Sequence, residues 1–273
     1  MPLRRAWWDR DDLRVLSDAE IEQFVELGYV RLPEAMSRRV AGQCRDLARA
    51  QLDLAETRPR RRPVVRGLVE GAPVREAANS RRLLEAVGQL LEGESWHCRA
   101  NLGLFVVRFP SDVDPGDTGW HVDGSFPGPA TSDLSSWYVN YRSTGRGLLL
   151  LCLLSDVGVD DAPTRIAEGS HLAVPGLLRP HGERGVRGHD VPLPDVRGSV
   201  ALATGDAGDV YLCHPFLVHA ASWPHRGAQP RVIAQPPISL DDAVHIDAER
   251  RLSPVARAIR RALTSDRRDA TGS

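Results

Sequence analysis

Histidine 121 and Asp123 stand one residue apart, and further along the chain come His214, His219 and Arg231. In an extended strand the side chains at i and i+2 share a face, so a His-x-Asp pair delivers two metal-binding groups to one side. Two histidines and one carboxylate on a single face of an octahedron are the donor set that suits divalent iron with open positions opposite. The missing member is a second histidine from elsewhere in the chain.

The pair is a weak signal by itself. With nine histidines and 23 aspartates, chance placement yields roughly 0.8 such pairs, and a second one, His245 and Asp247, is present. No histidine follows His245, whereas His121 is followed by two candidates and an arginine. His214 and His219 are five apart, so continuous strand geometry turns them to opposite faces, and Pro215 interrupts any ladder between them. Arg231 follows His219 at a distance that lets the chain turn through residues 222–229 and return antiparallel beside it. A guanidinium there can grip a co-substrate carboxylate bidentately. This spacing favours His219 as third ligand and Arg231 as anchor.

The elements that must position these residues change character along the chain. Ser17 and Glu20 have capping-box spacing, and Ile21, Phe24 and Val25 recur at helical intervals before Gly28, so residues 17–27 are expected to form a helix. Tyr29 to Leu32 reads as a short strand, Ser37 to Ala55 as a longer amphipathic helix, and Asn79 is placed to cap a third helix through Leu91. Arg58 to Pro63 is a charged, proline-broken run, read as a loop. From Leu102 the apolar segments are short and separated by Gly, Pro, Asp and Ser: 104–109, 120–123, 137–141, 148–154, 165–167, 200–203, 210–213, 216–219 and 231–238. Such spacing belongs to an antiparallel sandwich or barrel. A terminal helix is expected over 253–263, with a frayed tail after Ser265. The expectation is one domain over 1–273: a helical third at 1–100, a β core at 101–240, and a helix and tail at 241–273.

Composition narrows the partners. The net charge is −1, so nothing global draws the chain to nucleic acid or a membrane. The 35 basic residues are all arginine, which reads as codon bias. The cysteines, Cys44, Cys98, Cys152 and Cys213, form no Cys-x-x-Cys pair and indicate neither a zinc ribbon nor a disulfide framework. The first residues lack a secretory h-region, and the longest apolar run, 148–154, is far short of the ~20 residues a bilayer requires. A cytoplasmic protein is expected.

On three segments the chain resembles the phytanoyl-CoA dioxygenase-like family of Fe(II)/2-oxoglutarate-dependent oxygenases. They are Gly119-Trp120-His121-Val122-Asp123-Gly124, the stretch from Ser155 to His171, and Gly208 through His219 to Arg231. The opening helix and Gly28-Tyr29-Val30 extend the likeness over most of the chain. The middle stretch ends Glu168-Gly169-Ser170-His171, with glutamate where the family usually has proline. The resemblance implies a mainly β fold with flanking helices around a double-stranded β-helix, a cupin-like jelly roll. It implies Fe(II) held by His121, Asp123 and His219, which are then also the catalytic centre. It further implies 2-oxoglutarate as co-substrate, converted with O₂ to succinate and CO₂ while a small organic substrate is oxidised, most simply by hydroxylation of a natural-product intermediate. Desaturation, cyclisation or epimerisation on the same cofactors is the alternative, and a non-catalytic ligand-binding barrel is the alternative of another class. Halogenases of this superfamily replace the carboxylate ligand by a small residue, so Asp123 implies a non-halogenating enzyme.

Three further residues are candidate cofactor contacts: Trp137 and Asn140, on a strand after the His-x-Asp segment, and Thr164. Arg142 and Arg165 are weaker ones. His171 is expected to brace a turn and His214 to be structural. Ile233 departs from relatives that carry serine two residues after the arginine, so the co-substrate loses that hydroxyl. The segments 65–74, 112–117 and 125–136 are expected to rim the pocket.

Overall fold

The computed structural model describes residues 14–52, 54, 63–127, 137–196, 198–247 and 251–270. The N-terminal part contains α1 (Asp18–Leu27), β1 (Tyr29–Leu32), α2 (Arg38–Gln51), β2 (Val64–Leu68), α3 (Ala72–Ala78) and α4 (Arg81–Leu90). Then come β3 (Leu104–Arg108), β4 (Tyr138–Val139), β5 (Arg146–Leu153), β6 (Arg165–Ala167), α5 (Val174–Leu178), β7 (Val186–Arg187) and β8 (Val200–Leu202). The last elements are β9 (Val210–Cys213), β10 (His219–Ala220), β11 (Arg231–Gln235), β12 (Pro237–Ser239) and α6 (Pro254–Ala270).

Helix α1 starts where its capping box predicts: the Ser17 hydroxyl accepts from the Glu20 N–H and the Glu20 carboxylate accepts from the Ser17 N–H. It stops at Gly28, whose φ of 87° is left-handed. A side chain at Gly28 would collide with the His171 ring. Ser37 caps α2 as expected, but the cap of α4 is Ser80, one residue after Asn79. The segment 65–74 is not simply a rim loop, because β2 adds an edge strand and α3 begins within it. The expected strand 231–238 divides into β11 and β12 at Pro236, which has no N–H to donate. Helix α6 continues to Ala270, past the position where fraying was expected. Most of the Arg58–Pro63 run and residues 128–136 lie outside the described residues.

The strands form a seven-stranded antiparallel sheet in the order β1-β9-β5-β11-β3-β2, with β12 also on β5, a three-stranded sheet β10-β6-β8, and the pair β4-β7. Period-two alternation sends the large sheet's side chains to two cores. Val106, Leu149, Leu151, Leu153, Tyr211, Cys213 and Ile233 face inward onto Ile166, Ala203 and Leu217 around the small sheet. Phe105, Val107, Leu148, Leu150, Leu212 and Val232 belong instead to the larger core shared with the helices. Strand β5 is buried at all eight positions, as required of a strand covered on both sides. The protein is thus mainly β with flanking helices, a jelly-roll arrangement of facing sheets that do not close into a ring. Among the described residues no helix is long and apolar enough to cross a membrane.

Candidate metal centre

The segment around His121 is not a regular strand. Isolated bridges tie it to its neighbours: Phe126 pairs with Tyr138 of β4, and His121 pairs with His219 at the start of β10. The two residues exchange both backbone bonds, His121 N–H to the His219 carbonyl at 3.0 Å and His219 N–H to the His121 carbonyl at 3.1 Å. Cross-strand partners project to the same side, and the imidazole centroids lie 4.4 Å apart. Asp123 comes round to the same point without strand parity, its Oδ1 3.8 Å from His121 Nε2. Gly124 permits the close approach, since a Cβ there would collide with the Trp137 carbonyl.

One nitrogen or oxygen from each of His121, Asp123 and His219 lies within 4.8 Å of the others. His121 Nδ1 is 2.9 Å from the Gly119 carbonyl and His219 Nδ1 is 3.0 Å from the Leu217 carbonyl. Carbonyls only accept, so each Nδ1 carries the proton and each Nε2 keeps a free lone pair. That is the tautomer a metal-ligating histidine needs. His219 is buried, and its pKa is lowered first by that burial, against the pull of Asp123, which favours the neutral ligand form. Burial opposes ionisation of Asp123, but its polar neighbours, the permanently charged Arg146 guanidinium among them, outweigh it and hold the carboxyl below its ordinary value.

Arg146 was not singled out by the sequence. It opens β5 and is buried, with Nη1 3.3 Å from Asp123 Oδ2 and Nη2 donating to the Gly124 carbonyl. It therefore holds one carboxylate oxygen and leaves the other turned toward the histidines. Arg165, on β6, ties the two ligand-bearing segments together. Its Nη2 donates to the Thr118 carbonyl at 2.6 Å and its Nε to the Ala221 carbonyl at 3.2 Å. Its guanidinium also lies 4.7 Å over the Trp120 ring.

A cavity of about 140 Å³ adjoins the pair of histidines and is lined also by Thr164, Arg231, Arg108 and Ile233. Arg231 is 2% exposed. Its Nη1 donates to the Ala162 carbonyl, and its buried Nε has no partner among the described residues. Burial, and next the charge of Arg108, lower its pKa. A buried guanidinium short of a carboxylate partner, facing a cavity beside three metal-type donors, fits the distal end of a metal-chelated diacid. Thr164 lines the same cavity, and Ile233 contributes an apolar wall where a serine hydroxyl was missed.

The other candidates go elsewhere. Asn140 does not line the cavity: its Nδ2 donates to Thr144 Oγ1 and the Glu183 carbonyl, and its Oδ1 accepts from the N–H groups of Arg142 and Thr144. It braces a turn, with no capacity left for a cofactor. Trp137 packs its backbone on Gly124 and does not line the cavity, although its buried Nε1 lacks a partner. His214 faces the helices, where Nδ1 accepts from the Phe216 N–H and Nε2 donates to the Val255 carbonyl. His171 is 4.8 Å from it, centroid to centroid, and binds the Val25 carbonyl. His245 is bound to Glu94 at 2.8 Å, and Asp247 lies near Arg142, so the competing His-x-Asp pair is not assembled as a site.

No family model matches the sequence, and no curated protein matches it either. Solved structures do match in fold. One is HygX from Streptomyces hygroscopicus with nickel and 2-oxoglutarate bound, at 19% identity and TM-score 0.55 over 87% of this chain and 96% of that one. Another is SnoK, a non-haem α-ketoglutarate-dependent carbocyclase from nogalamycin biosynthesis, at 18% identity and TM-score 0.55 over 84% and 86%. A third is the epimerase SnoN in complex with Fe³⁺, α-ketoglutarate and nogalamycin RO, at 18% identity and TM-score 0.56 over 82% and 83%. At such identities the likeness is one of fold: a cupin-like jelly roll with flanking helices.

Proposed function

We propose that this protein is an Fe(II)- and 2-oxoglutarate-dependent oxygenase of the phytanoyl-CoA dioxygenase-like kind, acting on a small organic substrate. The observation that carries the reading is the convergence of His121, Asp123 and His219, with both Nε2 lone pairs free, at a cavity that also presents the buried Arg231. Similar folds bind iron or nickel with 2-oxoglutarate, which supports the same cofactors here. When bound, iron and 2-oxoglutarate together supply oxidising power from O₂, with succinate and CO₂ as co-products.

The chain's own residues divide the work. His121, Asp123 and His219 would hold the metal, and Arg146 steadies the Asp123 carboxylate through its Oδ2. Arg231 receives the distal carboxylate, while Ile233 and Val106 exclude water around the co-substrate's carbon chain. With Asp123 among the ligands, no small residue would leave room for a halide, and the product is expected to carry no halogen.

Hydroxylation is the simplest outcome. Cyclisation or epimerisation on the same cofactors is the second reading, favoured by the fold shared with a carbocyclase and an epimerase. The test combines two variants with anaerobic titration of Fe(II) and 2-oxoglutarate. Arg231→Gln is expected to keep iron and to weaken 2-oxoglutarate by about 2–3 kcal/mol, the worth of a charge-assisted pair lost from a buried site. His219→Ala is expected to lose iron itself. Stoichiometric binding of neither ligand to the native chain sinks the reading.

A further inference from the structure

Arg231 is not the only buried cation in the cavity. Arg108 is its direct cross-strand partner, on β3 opposite β11, and is equally 2% exposed. Both line the same cavity, and the Nε of each is buried without a hydrogen-bond partner among the described residues. Arg66, diagonally across on β2, lines it as well.

Three guanidiniums thus line the cavity with one carboxylate, that of Asp117, which bonds two of them. Both of its oxygens lie 2.8 Å from a single Arg108 nitrogen, Nη2, and Oδ2 also bonds Arg66. Asp117 makes no hydrogen bond or ion pair with Arg231. The lining of the cavity therefore holds three guanidiniums and one carboxylate, and even with Asp161 acting on Arg231 from outside the lining, positive charge is in excess. Like charges on neighbouring strands, two of them buried, are costly unless an anion lies between them. A single carboxylate on Arg231 would leave Arg108 half-used.

We propose that the floor of the cavity is a two-arginine cradle, in which Arg108 joins Arg231 in binding the distal carboxylate of the co-substrate. In this cradle Asp117 is a resident competitor that shares Arg108 when the co-substrate is absent. The inference rests on the function proposed above and goes beyond its single anchor. The second guanidinium also accounts for an apolar Ile233 being tolerated, because the carboxylate gains from Arg108 the hydrogen bonds it loses for want of a hydroxyl.

The test is calorimetry on the full chain loaded with Ni(II), which permits binding without turnover. The probes are 2-oxoglutarate and 2-oxopentanoate, the same 2-oxo acid without the distal carboxylate. Arg108→Met is expected to weaken 2-oxoglutarate by about tenfold or more, with Ni(II) and 2-oxopentanoate affinities unchanged and partial recovery in Arg108→Lys. A native-like 2-oxoglutarate affinity, or an equal loss for both probes, overturns the proposal by making Arg108 merely structural. Should Arg108→Met not fold, Asp117→Asn decides: it is expected to tighten 2-oxoglutarate severalfold by freeing Arg108, and an unchanged or weaker affinity overturns the cradle. The two readings fail separately. Arg231→Met binding 2-oxoglutarate normally removes the anchor on which the proposed function depends, whereas a normal Arg108→Met beside an impaired Arg231→Met removes only the cradle.

Discussion

At the scale of single residues, the two histidines five apart have opposite fates. His219 presents a free Nε2 to Asp123 and His121, while both nitrogens of His214 are committed to the Phe216 N–H and the Val255 carbonyl. His214→Ala is therefore expected to keep the metal and lower the melting temperature, by about 1–3 kcal/mol of lost packing and hydrogen bonding. A Co(II) titration of His214→Ala that shows no binding, in a folded variant, would reverse the assignment. Asp123 makes a second prediction, that high chloride or bromide leaves the products unchanged by mass spectrometry. Halogenated product in substantial yield would mean that Asp123 does not occupy the coordination sphere. Much of this site was legible in sequence because His-x-Asp, the second histidine and the arginine follow in a fixed order with recognisable spacing. Arg146 and Arg108 were not legible, because a lone charged residue at a strand end has no periodicity to mark it, and Asp117 was placed only within a rim segment, without its arginine partners. Their roles arise only when β5, β3 and the 112–117 loop are folded beside the ligands.

At the scale of elements, the strand lengths were harder to read than the helix ends. The helices announce themselves through side-chain caps, and Ser17, Ser37 and Gly28 all lie where the structure uses them. The expected strands 120–123 and 216–219 shrink to one bridge and a two-residue strand because glycine and proline break the ladders on either side. With so little regular pairing, the ligand-bearing segments need another tie, and Arg165 supplies it by bonding the Thr118 and Ala221 carbonyls and stacking on Trp120. Arg165→Met is expected to lower metal affinity about tenfold, within the range for groups that support ligands, while circular dichroism stays native. Unaltered Co(II) affinity would show that backbone pairing alone positions the histidines.

At the scale of the whole molecule, acid sensitivity is built in where the helices meet the sheet. His171 and His214 are fully buried against α1 and α6, and burial lowers His171 to about 4 and His214 well below its ordinary value. Both are neutral in the folded state, whereas in the unfolded chain they take up protons as pH falls through about 6.5. The unfolded state then binds more protons, so stability falls as pH is lowered from about 6.5 toward 4, by about 1.4 kcal/mol per unit for each histidine. Melting curves across that window check the slope, and His171→Gln, which can still donate to the Val25 carbonyl but does not titrate, is expected to flatten it. An identical profile in the variant would place the acid sensitivity elsewhere.

The reciprocal bridge between His121 and His219 has a consequence for supply. Backbone bonds and the Arg165 tie hold the two imidazoles side by side whatever ion is supplied, so ion capture calls for no folding step. A ready-made pair of imidazoles with one carboxylate ranks divalent ions by their intrinsic affinity, and on that scale copper, nickel and zinc stand above iron. Nothing in the donor set counters that order. Purified from a metal-replete medium, the protein should carry the tightest available competitor, as elemental analysis will show, and should gain turnover only after stripping and anaerobic reloading with iron. Its activity in the cell would then follow the local supply of ferrous iron and the exclusion of its rivals, so that the choice of metal belongs to the host's metal economy more than to the chain.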